Sequence, residues 1–212
     1  DRRRTPCRFF SYWERNVVKD AAVAAGFDRV EKKMVCGGYG SYNLYWGKHF
    51  RGASADKQWR RLHRGQRCNH FPGTWSIGRK DRLARTIQRQ KRRHASAYGF
   101  LPECWILPAD KGSWKRELAG ATAKHLWIVK PCASSCGRGI RIINREQTHR
   151  IVRDKPRLLQ RYVMNPLLIE GKKFDVRLYA LVTCFSPLRV YLFRRGLARF
   201  CTTKYSNSAK AL

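Results

Sequence analysis

The residues with chemical potential fall into three short stretches. The first is Trp127-Ile128-Val129-Lys130-Pro131, an apolar run ending on a lysine, followed by Gly137-Arg138-Gly139-Ile140. A lysine at a strand end is a compact point charge that suits a phosphate. Glycines in the next loop let backbone N–H groups approach phosphate oxygens. A plain hairpin turn would use the same residues, and the Gly-Lys-Ser/Thr of a P-loop is absent from this stretch. The second stretch is Lys173-Phe174-Asp175-Val176-Arg177. Strand side chains alternate between faces, so Phe174, Val176, Leu178, Ala180, Val182 and Cys184 share a face that can pack on a core. Lys173, Asp175 and Arg177 share the other face, which is either a solvated edge or the lining of a site. Within 197–203, Leu197 and Arg199 lie opposite Ala198 and Phe200, which makes Arg199 a further cation for a carboxylate. The third stretch, Leu158-Leu159-Gln160-Arg161-Tyr162-Val163, is either a core strand or one whose backbone meets an adenine edge.

Composition bounds the partners. With 212 residues and 43% hydrophobic content, the chain can bury a core and is not disordered. Lys plus Arg number 46 against 14 Asp plus Glu, for a net charge of +32. That excess attracts polyanions: nucleic acid, an anionic membrane surface or an acidic protein segment. No apolar run approaches the length of a membrane span. The basic runs lack the interleaved aromatics of a single-strand stacking platform, and no nucleic-acid-binding motif is visible, which argues against nucleic acid. The eight cysteines include no Cys-x-x-Cys pair, which fits free thiols in a reducing compartment. Cys68, His70 and His63 are badly spaced for a four-ligand zinc site.

Certain elements must hold these residues in place. A helix is expected over 9–25, closed at Gly26, then a short strand within 27–36 and a turn at Gly37, Gly38 and Gly40. A strand follows over 42–46, and 69–75 reads as an ordered connector. A helix over 78–94 carries Leu83 and Ile87 on its apolar stripe. Its other faces bear Arg79, Lys80, Arg82, Arg85, Arg89, Lys91, Arg92 and Arg93, as either an exposed basic face or a landing surface for an acidic polymer. Next come a strand within 98–108 stopped by Pro108 and a helix over 113–124. Strands then follow at 126–130, 140–143, 158–163, 174–185, 189–194 and 197–203, with Ser186-Pro187 turning a hairpin.

In their order, KPCASSCGRGI, LLQRYV, NPLLIEGKKFDVRLYALVT and GLARF resemble the tubulin–tyrosine-ligase-like family, above all its polyglutamylases. Upstream, NHFPGTWSIGRKDRL is similar to the family's Asn-His-Phe-Pro and basic helix, and the likeness covers roughly 40–212. The resemblance implies an α+β, ATP-grasp-like fold, present here in part. Its expected divisions are an α/β domain at 5–72, a central lobe at 73–157 and the start of a C-terminal lobe at 158–212. It implies ATP held by Lys130 and by the mobile loop Gly137, Arg138 and Gly139. Gln160, Arg161, Tyr162 and Val163 would line the adenine pocket, and Lys173, Phe174 and Asp175 would also meet the nucleotide. Arg177 would support the substrate side, and Arg199 would bind the carboxylate of free L-glutamate.

The implied reaction phosphorylates a glutamate side chain on the acidic tail of tubulin, and the amine of free glutamate attacks the acylphosphate. Triphosphate, acceptor, incoming amino acid and tail are all anionic, so such a site must be cationic. Cys136 departs from the family, which has an arginine or glutamine touching the acceptor there. Magnesium needs hard oxygen ligands. Asp175 is the sole acid in the cluster, so the family's metal ligands are expected beyond Leu212, and these residues alone are expected to be inactive. A start without Met and an end at Leu212 read as a partial chain. The location implied is the cytoplasm and cytoskeleton, with cilium or basal body as a finer possibility. The alternatives are a glycylase or other amino-acid ligase of the family, a relative that keeps the fold without the chemistry, and a non-catalytic basic module that binds microtubules or nucleic acid.

Overall fold

The structure is a computed structural model that describes residues 7–11, 16–30, 42–50, 55–134, 137–151 and 155–206. The chain forms two units, Asp1–Thr74 and Trp75–Leu212. The first unit holds β1 (Cys7–Ser11), α1 (Asn16–Ala24), β2 (Phe27–Arg29), β3 (Leu44–Trp46), α2 (Ala55–Arg60) and β4 (Arg67–Cys68). Its sheet runs β2-β1-β3-β4 with every pair parallel. Parallel strands are buried on both faces, and adjacent Phe9 and Phe10 are both almost fully buried. That requirement corrects the expected 9–25 helix. Phe9-Phe10-Ser11 is strand, and the helix spans only Asn16–Ala24, ending just before Gly26. The Gly37, Gly38 and Gly40 turn lies outside the described residues. Phe10, Val30, Tyr42 and Tyr45 form the core, with Phe50 and Cys68 packed against it.

The second unit opens with α3 (Trp75–Gly78), a short helix at the end of the expected connector, and α4 (Lys80–Lys91), which is the basic helix expected over 78–94. Ala84 and Ile87 are its buried residues, and Arg82, Arg85 and Arg89 are exposed. Next come β5 (Cys104–Leu107), α5 (Lys111–Ala119), β6 (Trp127–Pro131), β7 (Arg141–Ile143), a 3-10 turn at Glu146–Arg150 and β8 (Arg157–Arg161). The four strands make an antiparallel sheet in the order β5-β8-β6-β7. On one face Trp105, Trp114, Trp127, Val129, Ile143, Ile151 and Leu159 form the larger core. On the other, Ala84 of α4 packs with Cys104, Ile106, Cys132 and Leu158. Alternation along the strands therefore sends Trp127, Val129 and Leu159 to one side, and Ile128, Lys130, Leu158 and Gln160 to the other.

Five strands follow: β9 (Leu168–Ile169), β10 (Lys172–Arg177), β11 (Ala180–Phe185), β12 (Leu188–Leu192) and β13 (Leu197–Phe200). β9, β10 and β13 form one antiparallel sheet, and β11 and β12 form the hairpin turned at Ser186-Pro187. Glu170 and Gly171 both have positive φ, as a tight two-residue hairpin loop needs. The continuous strand expected over 174–185 breaks at Leu178-Tyr179. Its apolar face is not covered as expected: Val176 is 55% and Leu178 56% exposed. An antiparallel ribbon buries its apolar face only against a second layer; on this face Phe174 stacks on Phe200 at 5.6 Å. The Cβ of any residue replacing Gly196 would meet the Arg177 carbonyl oxygen at 2.6 Å, which holds that position to glycine beside β10.

Candidate nucleotide site

Lys130 is the centre of the site. It stands near the end of β6, between Val129 and Pro131, on the sheet face that carries α4. Its Nζ donates to Gln160 Oε1 of β8 at 2.7 Å. Its pKa is pushed down, first by burial and then by the positive charge of Lys80; Cys104 acts in the opposite sense, and Lys173 adds a smaller downward push. Among the described residues, no carboxylate pairs with Lys80, Lys130 or Lys173. Lys130 is thus half-buried among like charges with no acid against it among the described residues, a cost that a polyanion such as a triphosphate would relieve.

In sequence, Lys80 is one cation among many on a basic helix face. Its Nζ instead donates to the Ser134 carbonyl oxygen at 2.8 Å, in the loop between Lys130 and Gly137. Its position at the start of α4, half-buried between the exposed Arg82, Arg85 and Arg89, could not be separated from theirs by periodicity. Gly137 and Gly139 both have φ above +70°. A Cβ on Gly139 would also meet Pro131 Cγ at 3.0 Å, so the loop returns tightly over the strand that carries Lys130. Arg138 between them is exposed. Cys136 lies outside the described residues.

Lys173 of β10 reaches the same neighbourhood. Its Nζ is 3.1 Å from the Tyr162 hydroxyl, 4.5 Å from that ring's centre and 5.5 Å from the Tyr205 ring. Phe174, the next residue, turns to the other side of β10 and stacks on Phe200. Asp175 and Arg199 pair with each other across β10 and β13. Arg177 lies further along the Lys173 face and is exposed.

The β8 stretch divides by alternation. Gln160 faces Lys130, whereas the Arg161 guanidinium bonds Glu117 of α5 at 2.6 Å and Glu103 at 3.0 Å on the opposite side. The amides of Arg161 and Tyr162 donate to the Glu103 and Leu126 carbonyls. Val163 follows with about half its surface exposed (49%). Two grooves of about 500 and 520 Å³ occur elsewhere in this unit, and neither is lined by Lys130, Gln160 or Lys173. The convergence of cations, not cavity size, marks the site.

Among the described residues no group of three or more His, Cys, Asp or Glu is arranged for a metal ion. The carboxylate of the strand row, Asp175, is already engaged by Arg199. The lysines present suit the anionic oxygens of a phosphate chain.

Comparison with known proteins shows the family and the fold. The model of the tubulin-tyrosine ligase family matches residues 59–212. The chain belongs to the tubulin-tyrosine ligase family. Among similar family members, human tubulin monoglutamylase TTLL4 is 42% identical over 168 residues, 79% of this chain and 13% of that protein. Human tubulin polyglutamylase TTLL5 is 40% identical over 198 residues, covering 92% of this chain and 14% of that protein. Tubulin polyglutamylase ttll-4 of Caenorhabditis elegans is 36% identical over 196 residues, 92% of this chain and 30% of that protein. The chain thus spans less than a third of each of these relatives. Among solved structures, the C-terminal domain of K. lactis Pby1, described as an ATP-grasp enzyme interacting with the mRNA decapping enzyme Dcp2, matches with a TM-score of 0.61. That match covers 97% of this chain and 62% of the other at 18% identity. The fold of this tubulin-tyrosine ligase family chain is therefore ATP-grasp-like, as its sequence implies.

Proposed function

We propose that this chain carries the phosphate-binding part of an ATP-dependent ligase that joins free glutamate to glutamate side chains on acidic tubulin tails. The observation that carries the reading is the group of Lys130, Lys80 and Lys173, unpaired with acids among the described residues. The names of the relatives, glutamylases of tubulin, support the substrate class.

In this reading ATP supplies the phosphoryl group that activates the acceptor carboxylate. Lys130 and Lys173 hold the phosphates, with Lys80 tying the loop to α4. Gln160 orients the Lys130 ammonium. Gly137, Arg138 and Gly139 close over the phosphates, and Val163 with the backbone around Tyr162 borders the adenine. Arg199 takes the carboxylate of the incoming glutamate, leaving its partner Asp175 to the nucleotide side, and Arg177 extends the cationic face. By the family resemblance, Cys136 takes the place of the residue that touches the acceptor. Magnesium belongs to the same reading as a cofactor and takes no part in the steps assigned to these residues. The exposed arginines of α4 attract the acidic tail. The protein would work on the cytoskeleton.

The test is direct. Lys130→Ala is expected to lower ATP affinity by about tenfold or more, the loss typical of a charge-assisted contact. In an active preparation, labelled glutamate, glycine and tyrosine offered in parallel are expected to yield glutamate incorporation. Unchanged nucleotide affinity in the variant, or preferential glycine addition, would sink this reading. A basic microtubule-binding module without catalysis is the second reading, favoured by the exposed α4 arginines. It is distinguished by microtubule binding with no dependence on nucleotide.

A further inference from the structure

On the sheet face opposite Lys130, the larger core opens to the surface as a groove of about 520 Å³. One wall is a single face of α5: Lys111, Trp114, Lys115 and Leu118 are spaced at i, i+3, i+4 and i+7. The other wall comes from Thr148 and His149 of the 3-10 turn together with Ile151 and Lys155. Leu107 and Pro108 close one end. Trp114 and Ile151 belong to the core itself, so the floor is apolar and rigid. Lys111, Lys115, His149 and Lys155 are exposed at the rim, and no acidic residue lines the groove among the described residues.

We propose that this groove binds an acidic peptide segment that inserts one aliphatic or aromatic side chain between flanking carboxylates. Three observations lead there. The apolar floor is sized for side chains, within the roughly 300–1,000 Å³ typical of ligand sites. Cations stand on both walls, so anions are matched on either side of a central anchor. A single-headed amphiphile would need its charge at one end only. The charge of the whole chain, +32, draws such a segment from solution. Because α5 and the Lys130 site lie on opposite faces of the sheet, the groove is separate from the nucleotide site and does not depend on the ligase reading.

The experiment measures fluorescence polarisation of a labelled peptide with glutamates on both sides of one leucine. Replacing that leucine by serine is expected to weaken binding about tenfold. Lys115→Glu or Lys111→Glu should weaken it by about as much, through reversal of one close charge. Lys124→Glu, an exposed site off the groove with the same change in net charge, should weaken it by less than about twofold. Equal losses at Lys124 and Lys115 would mean that only bulk charge acts, and the proposal fails. Indifference to the leucine overturns it equally. Laurate that binds the groove as tightly as the peptide and displaces it would replace the peptide by a fatty anion.

Discussion

Asp175 and Arg199 sit directly opposite each other on β10 and β13, and Arg199 Nε lies 3.1 Å from each carboxylate oxygen of Asp175. The guanidinium therefore already holds a carboxylate where the incoming glutamate is proposed to place its own. Arg199→Ala in an active preparation is expected to raise KM for glutamate about tenfold or more with little change in KM for ATP. Asp175→Asn frees Arg199 and should shift KM for glutamate the other way while raising KM for ATP. Steady-state kinetics with each substrate varied in turn reads the split. An Arg199→Ala variant with an unchanged KM for glutamate removes Arg199 from the site. Asp175 itself is held below the usual carboxylate range by the Arg199 hydrogen bond. The pair is therefore complete at neutral pH and dissolves only as pH falls through that lowered value.

Lys130 titrates in the opposite direction from a stabilising lysine. Its folded pKa lies below the ordinary lysine value, so its burial costs stability at neutral pH. That cost fades as pH rises through the lowered value toward the unfolded one. Lys130→Met is expected to raise the melting temperature of the ligand-free chain at pH 7, with the gain shrinking in alkaline buffer, while nucleotide binding is lost. Nucleotide affinity of the unaltered chain should also begin to fall at a lower pH than for an ordinary lysine. Calorimetry across alkaline pH would record both trends, and a destabilised Lys130→Met chain would contradict the account.

Gly139 has φ +72° and the nearby Pro131 ring leaves little room for a Cβ. Gly139→Ala is expected to cost about 1–2 kcal/mol of local strain, or a melting shift of a few degrees. Its larger effect should fall on nucleotide affinity, because the loop no longer returns over Lys130. Isothermal titration beside thermal unfolding separates the two. Loss of stability without loss of affinity would assign the glycine to folding alone.

Trp127 is fully buried, and its indole Nε1 has no hydrogen-bond partner among the described residues. An orphaned buried donor costs about 1–3 kcal/mol. Trp127→Phe removes that donor together with some volume, so its net cost should stay below about 1.5 kcal/mol. Trp127→Ala should cost about 3–5 kcal/mol. Urea unfolding distinguishes them, and a Phe variant as unstable as the Ala variant would mean that the donor has a partner after all.

What local pattern dictates was legible in the chain itself. The strand ending at Lys130, the β10 alternation, the Ser186-Pro187 hairpin and the family likeness all rest on neighbours in sequence, where period and turn chemistry act. The segment Phe9–Ala25 misled, because two phenylalanines that suit a helix stripe are instead buried on both faces of a parallel sheet. The exposure of Val176 and Leu178 could not be read either, since alternation names a face without saying what covers it. Three further facts belong to tertiary structure alone: Lys80 meeting the glycine loop, Arg161 turning to Glu117, and Asp175 holding Arg199. Each is a contact across at least 24 residues of chain. Electrostatic partners at that range are chosen by which strands pair and in what register, and no spacing within a single element encodes that choice.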